Sequence, residues 1–474
     1  MSLDSTKSDH AHAQYSSEDE SQTRQFLTTI SRDLGIASEA LANVYFAGSG
    51  DLPSVFAVSD LATAAVAAAG AAVAQFVAAR FGALPRVTVS RRLSSLWFGR
   101  SIRPDGWRLP AAWDPIAGDY PTADGWIRLH TNAPHHRDAA MSVLGVSADK
   151  SEVARAVVNW SADALETAVV QNNGCAAAMR SMAAWATHAQ GESVSREPLV
   201  ATQVTGDCSD STLSPTPERP LRGIRVLDLT RVLAGPVATR FLAGFGADVL
   251  RIDPPVWDEP GVIPDVTLGK RCARLDLRSS SERSVFLDLL RRADVFVHGY
   301  RSDALDNLGL DARTLRAIRP GLVDVSLNAY GWVGPWRNRR GFDSLVQMSS
   351  GIADAGMRIL GQDRPTPLPV QALDHTTGYL MAAAVVRGLS QRVATAQGFA
   401  ALTSLARTAQ LLVSGPAGGA RGDLRPATKE DWSESVEATD FGPARRLRSP
   451  VTIGDASMQW DRPAATLGSS APAW

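Results

Sequence analysis

The second half of the chain carries a regular alternation of apolar and polar segments. Ile224–Thr230 (IRVLDLT) alternates and is rich in branched residues, which predicts a strand. Pro236–Phe245 has helical spacing, and Gly246 supplies a stop. Ala247–Asp253 (ADVLRID) reads as the next strand, Arg274–Leu277 as a short one and Glu282–Arg292 as a helix. Ala293–His298 (ADVFVH) and Leu322–Leu327 (LVDVSL) read as further strands, with a helix near Ala312–Ile318 between them. Strands alternating with helices predict an α/β fold with a doubly wound, Rossmann-like parallel sheet.

The rest of the chain divides by pattern. Residues 1–25 are polar and are expected to be disordered. Residues 26–200 form a first globular part, residues 201–220 (ATQVTGDCSDSTLSPTPERP) read as a linker, and residues 221–474 form a second part. The Ala-rich run Leu61–Ala74 is too short for a membrane span, which needs about 20 apolar residues, and is expected to be a buried helix. An internal echo links the parts. Ser59–Gly99 and Leu373–Gly415 each show an Asp, a long helix of small residues and a second helix led by Ser.

Composition narrows the function. Hydrophobic residues make up 45% and charged residues 20% of 474, a soluble globular balance with room for more than one domain. Lys+Arg is 48 and Asp+Glu 49, so the net charge of −1 argues against a nucleic-acid partner held by bulk positive charge. Cys175, Cys208 and Cys272 are too widely spaced for a zinc or redox motif, which fits a reducing cytoplasm. The N-terminus lacks a signal-peptide pattern, and no membrane partner is expected. His130 and the His135-His136 pair lack acidic partners at metal spacing, and no GxSxG, HExxH or P-loop pattern occurs, so no metal is expected.

Two places offer chemistry. The turn Arg231–Pro236 after the first strand lacks GxGxxG, yet Ala234-Gly235 at a helix start offers N–H groups to an anion. Asp253 ends the second strand, where an acid can bond a ribose hydroxyl. Asp374 follows the Pro-rich segment Pro365–Pro369 and precedes a helix. It reads either as a plain N-cap or as a carboxylate nucleophile that helix N–H groups keep ionised.

Several ordered segments carry a resemblance. They are Gly223–Asp253, Gly269-Lys270-Arg271 with Leu275-Asp276-Leu277, Ala293–Gly309, Val325–Trp336, Gly341–Gly351 and Ala372–Leu380 (ALDHTTGYL). Together they resemble the class III CoA-transferases, the relatives of formyl-CoA transferase, carnitine CoA-transferase and α-methylacyl-CoA racemase. Gly442–Trp474 resembles the family's tail. In the first part, Ser59–Gly99 resembles the middle of the family fold, and Tyr120–His130 and Arg180–Glu197 resemble the two ends of its small domain. The resemblance implies a smaller α+β domain beside the sheet and a rearranged chain that mimics an interlocked dimer within one molecule.

It further implies a CoA-transferase with Asp374 as the catalytic residue. CoA would be a substrate, not a permanent cofactor, and acyl-CoA and carboxylic acids would be the partners, with self-association as a further possibility. Val232, Leu233 and Ala234 match the turn that meets the nucleotide, Lys270 and Arg271 a basic pair near the phosphates, and Tyr300 and Tyr330 aromatic contacts to CoA. Gly415, Gly418, Gly419 and Gly422 match either a covering loop or a plain linker. Pro254, Asn307 and Asn328 depart from basic residues frequent in the family. Phe342 stands where the racemase branch carries a proton-moving His, which favours the transferase over the racemase. The remaining alternative is a non-catalytic scaffold of the same fold.

Overall fold

The computed structural model describes residues 17–207, 215–301 and 303–474. One large sheet contains seven strands: β1 (Val200–Asp207), β2 (Arg225–Leu229), β3 (Asp248–Asp253), β4 (Lys270–Arg274), β5 (Val295–His298), β6 (Val323–Asn328) and β7 (Gln397–Ser404). Their order is β4-β3-β2-β5-β6-β7-β1, parallel throughout except that β1 runs antiparallel to β7. Val226 of β2 pairs with Val249 on one side and Val295 on the other. The winding direction therefore reverses at β2, and a crevice opens beyond the carboxyl ends of β2 and β5. The doubly wound sheet expected from the alternation is present.

Three local expectations are corrected. The strand expected at Arg274–Leu277 lies earlier, at Lys270–Arg274, because the edge strand KRCAR hides its buried positions behind paired charges. The linker expected over 201–220 begins with β1, whose outward residues are mostly exposed, so an edge strand has the composition of a linker. Cys208 and the rest of 208–214 lie outside the described residues. The disorder expected over 1–25 is corrected for residues 17–25, which belong to helix α1 (Ser17–Leu34). Phe26, Leu27, Ile30 and Leu34 form its buried stripe. Residues 1–16 lie outside the described residues.

Four helices matter below: α2 (Val58–Phe81), α3 (Ala234–Gly244), α4 (Asp343–Ser349) and α5 (Ala372–Thr395). Among the described residues, α2 is the one helix long and apolar enough to cross a membrane, and it is enclosed by protein. It packs along α5 and is covered by α1. The echo is structural. Helices α2 and α5 have 24 residues each, both follow a residue of matching dihedrals (Ala57 φ −75°, ψ 59°; Gln371 φ −76°, ψ 66°), and both end in a left-handed residue, Gly82 and Ala396. A strand follows each, and then a helix capped by Ser90 or Ser404, whose hydroxyls accept the N–H of Leu93 and Arg407 at 3.2 Å. The same chain offset separates Asp60 from Asp374, Gly82 from Ala396 and Ser90 from Ser404.

A smaller α+β lobe holds the antiparallel strands Gly118–Pro121, Trp126–Leu129 and Ala176–Ala178 with helices Pro134–Leu144, Lys150–Val157 and Ala162–Gln171. Ile127, Leu129, Val153 and Leu165 are fully buried in its own core. Glu166 fastens this lobe to the main one through Arg339 at 2.9 Å. The Gly-rich segment pairs as strand Ala417–Arg421 with Ser54–Phe56, and none of its four glycines lines the cavity described next.

Candidate active site

A cavity of about 870 Å³ occupies the crevice beyond β2, β3, β5 and β6, with one wall supplied by the N-terminus of helix Pro134–Leu144 from the small lobe. Asp374 lines it. The residue is 9% exposed, and no hydrogen bond reaches its carboxyl group from the described residues. The N-cap reading is corrected: Gln371 precedes α5, and Asp374 is its third residue. The cap comes from another helix. Asp343, first residue of α4, accepts the N–H of Asp374 at 2.9 Å and also that of Leu373, and Gln347 donates to its other oxygen.

This arrangement also reverses the expected charge state. The helix N–H groups act on Asp343, not on the Asp374 side chain. Burial and the neighbouring Asp343 charge together push Asp374 well above the ordinary carboxylate range. Burial raises Asp343 too, but its three donors favour its charged form. The surroundings therefore favour the proton of this buried pair on Asp374.

Asp60, the counterpart of Asp374 in the repeat, is in a different state. Arg91 donates to its two oxygens at 2.8 and 3.1 Å, and Thr23 of α1 donates at 2.9 Å. Arg91 also pairs with Asp51, and both Arg91 and Asp60 are buried. The position equivalent to Arg91 is Leu405, which lines the Asp374 cavity. Arg91 and Thr23 thus seal Asp60, whereas Leu405 offers no donor to Asp374.

The other expected site residues divide. Val232, Leu233, Ala234 and Tyr300 line the cavity. Val232 has φ +63°, a left-handed conformation costing a β-branched residue about 1–3 kcal/mol. Its N–H is held by Glu259 at 2.8 Å, so Val232 does not offer that group to an anion. The N–H groups of Ala234 and Gly235 in the first turn of α3 have no acceptor among the described residues. Lys270, Arg271 and Tyr330 do not line the cavity. The Lys270 ammonium is buried under the sheet, 3.1 Å from Asp228 and from the Pro236 carbonyl. Arg271 pairs with Asp248 at 2.6 Å and donates to the Ala473 carbonyl. The Tyr330 hydroxyl meets Ser349 at 3.1 Å in the core. Asp253 lies at the cavity floor, but Arg251 holds both its oxygens, at 2.8 and 3.0 Å.

Sequence reasoning named Phe342 and the histidines without their contacts, and it gave the Arg231 side chain no role. Arg231 lies over the rings of Trp257 and Tyr300, 4.7 and 5.0 Å from their centroids, and donates to the Tyr300 hydroxyl at 2.6 Å. Phe342 stacks on His130 at 3.8 Å, and His136 meets the same ring edge-on at 5.9 Å. Burial drives both imidazoles to about 3, so they are neutral. No local motif marks these groups, because three separate segments supply them. The Arg339-Arg340 pair before Gly341 was the one visible signal for the cations there.

Residues 221–434 match the model of CoA-transferase family III. A probable fatty acyl-CoA transferase of Mycobacterium tuberculosis is 33% identical over 190 residues, covering 37% of this chain and 48% of that protein. The succinyl-CoA:glutarate CoA-transferase of Mus musculus is 32% identical over 195 residues, covering 38% and 44%. The acetyl-CoA:oxalate CoA-transferase of Acetobacter aceti is 34% identical over 148 residues, covering 29% and 38%. The chain thus spans less than half the length of each of these relatives. A crystal structure of the Mycobacterium tuberculosis protein superposes with a TM-score of 0.38 at 30% identity, over 42% of this chain and 58% of that one. The matched segment holds β2 to β7, the first turn of α3 and Asp374, and over this segment the chain is similar to CoA-transferase family III.

Proposed function

We propose that the protein exchanges CoA between an acyl-CoA thioester and a carboxylic acid, with Asp374 as the nucleophile. One observation carries this reading: Asp374 is a carboxyl group in the crevice with no hydrogen-bond partner among the described residues, whereas its repeat counterpart Asp60 is sealed. A carboxyl group at the switch point of a doubly wound sheet, once ionised, is placed to attack a bound acyl carbon.

The steps balance without a further reagent. A carboxylate oxygen of Asp374 bonds to the thioester carbonyl carbon, the C–S bond breaks, and CoA leaves as a thiolate. The thiolate then attacks the Asp374 carbonyl carbon of this mixed anhydride and expels the first acid as its carboxylate. An aspartyl-CoA thioester remains, and an acceptor carboxylate runs the two steps in reverse. Each intermediate keeps an activated acyl bond, so the exchange is close to thermoneutral. The N–H groups of Ala234 and Gly235, which line the same cavity, are donors of the kind that stabilise a developing oxyanion. Asp374 must lose its proton before it attacks, so substrate binding or rising pH has to shift the Asp343–Asp374 pair.

Phe342 supports transfer over racemisation, since a phenyl ring moves no proton. The composite arrangement, in which one chain supplies both the sheet and the small lobe to a single cavity, supports one working site per chain.

Labelling decides the reading. Wild type incubated with acyl-CoA and trapped with hydroxylamine is expected to carry one mark, on the peptide containing Asp374. Asp374→Asn is expected to lose exchange by more than about a thousandfold, since an amide forms no anhydride. Asp60→Asn is expected to keep exchange per folded molecule. Marking of Asp60, or full exchange by Asp374→Asn, rejects the assignment.

A further inference from the structure

Most arginines at the cavity already have an acid. Arg339 pairs with Glu166 at 2.9 Å, Arg278 with Asp276 at 2.9 Å and Arg301 with Asp303 at 3.6 Å. Arg340 and Arg231 differ. Arg340 donates to the amide oxygen of Asn173 at 3.2 Å and has no carboxylate within 4 Å among the described residues. Arg231 is held by the Tyr300 hydroxyl and two aromatic faces, likewise without a carboxylate.

The two cations act on one place. His135, on the small-lobe wall, is lowered by burial and by the charges of both Arg340 and Arg231, with Asp138 opposing weakly. Arg340 is itself lowered by burial and by the neighbouring Arg301, with Cys175 and Asp303 opposing. Two segments, the turn after β2 and the loop before α4, thus bring positive charge to one wall of a partly desolvated cleft, facing the start of helix Pro134–Leu144. A guanidinium with no carboxylate at ion-pair distance in such a cleft is the electrostatic complement of an oxyanion, and guanidinium forks grip carboxylate and phosphate through two donors.

We propose that Arg231 and Arg340 form an oxyanion-recognition site at the seam of the two lobes, filled by a charged group of the molecules that meet at Asp374. The inference rests on the CoA-exchange reading above. Two groups share that chemistry: a phosphate of CoA, or a second carboxylate on the exchanged acid. Chain connectivity favours the carboxylate. Arg340 precedes Asp343 by three residues, so their Cα atoms are at most about 11 Å apart. Asp343 in turn accepts the N–H of Asp374. With the thioester at Asp374, the pantetheine arm keeps the diphosphate at its far end, whereas a short dicarboxylate places its second charge close by.

The test compares charged and uncharged members of two ligand series in wild type, Arg340→Gln, Arg231→Gln and Arg340→Lys. Calorimetry measures binding of CoA against pantetheine, and of succinate against butyrate. Kinetics measures exchange with the same two acids. Wild type is expected to prefer succinate, and Arg340→Gln to shrink that preference about tenfold or more, through KM rather than kcat. Arg340→Lys, which keeps the charge, should recover part of it. A loss confined to CoA over pantetheine supports the site and assigns it to phosphate. Unchanged preferences in both Gln variants, or a wild type that binds neither CoA nor succinate, overturn it. A wild type that binds CoA but exchanges no acid rejects the exchange reading alone, because the binding series still decides the anion site.

Discussion

At the residue scale, the chemistry depends on which carboxyl group is left without a cation. Asp60 and Asp374 have the same position in the same helix type, yet Arg91 neutralises one while Asp343 opposes ionisation of the other. This has a signed consequence for pH. Attack requires the carboxylate, and the pKa of Asp374 is raised, so exchange should climb with pH through a value above the ordinary Asp range. Asp343→Asn removes the neighbouring negative charge while its amide oxygen can still accept the helix N–H. The acid limb of the pH–rate profile should then move to lower pH, by about a unit or more. A limb that stays in place, or moves upward, would show that Asp343 does not set the proton on Asp374. The same logic explains Lys270. From sequence it is one more basic residue in a basic pair, but beside Asp228 under the sheet it is a buried ion-pair partner, as far from a phosphate site as burial can put it.

At the element scale, the site depends on how closely α5 crosses α3. A Cβ added at Gly378 would stand 2.5 Å from the Ala234 carbonyl oxygen and 2.8 Å from Val237 Cβ. No flexible side-chain end is available there to yield. Gly378→Ala should therefore cost on the order of 1–3 kcal/mol in urea unfolding. It should also lower exchange, because it pushes the start of α5 away from the turn that offers the Ala234 and Gly235 N–H groups. A variant with an unchanged unfolding midpoint would mean that the crossing is looser than these distances state. The N-terminus of α5 also shows why its cap was misread. Local sequence offers Asp374 as the only acid near the helix start, but the capping acid, Asp343, comes from α4, 31 residues earlier.

At the scale of the whole molecule, the two parts are not separable bodies. Strand β1, from the first part, forms the antiparallel edge of the second part's sheet, and α2 lies along α5 in one continuous core. The small lobe completes the cavity wall. Chain cut between Asp207 and Pro215 should leave two fragments that co-elute on gel filtration and separate only in denaturant. Two fragments that elute apart and stay folded would show that the parts do not need each other.

The sequence alone determined the doubly wound sheet and the helix–strand–helix repeat, and it pointed to Asp374 as the acid to test. Each rests on short-range information: the period of apolar positions along a strand or helix, and motifs a few residues long. Edge strands were the exception, since β1 and β4 have polar faces that conceal their pairing. Tertiary structure alone decided the charge at each position. Arg91 meets Asp60 across 31 residues, Lys270 meets Asp228 across 42 and Glu166 meets Arg339 across the lobe seam. The same long-range closure left Arg231 and Arg340 without acids on the wall of the Asp374 cavity. Ionisation and accessibility follow from such distant partners, because the electrostatic free energy of a group is set by what surrounds it in space.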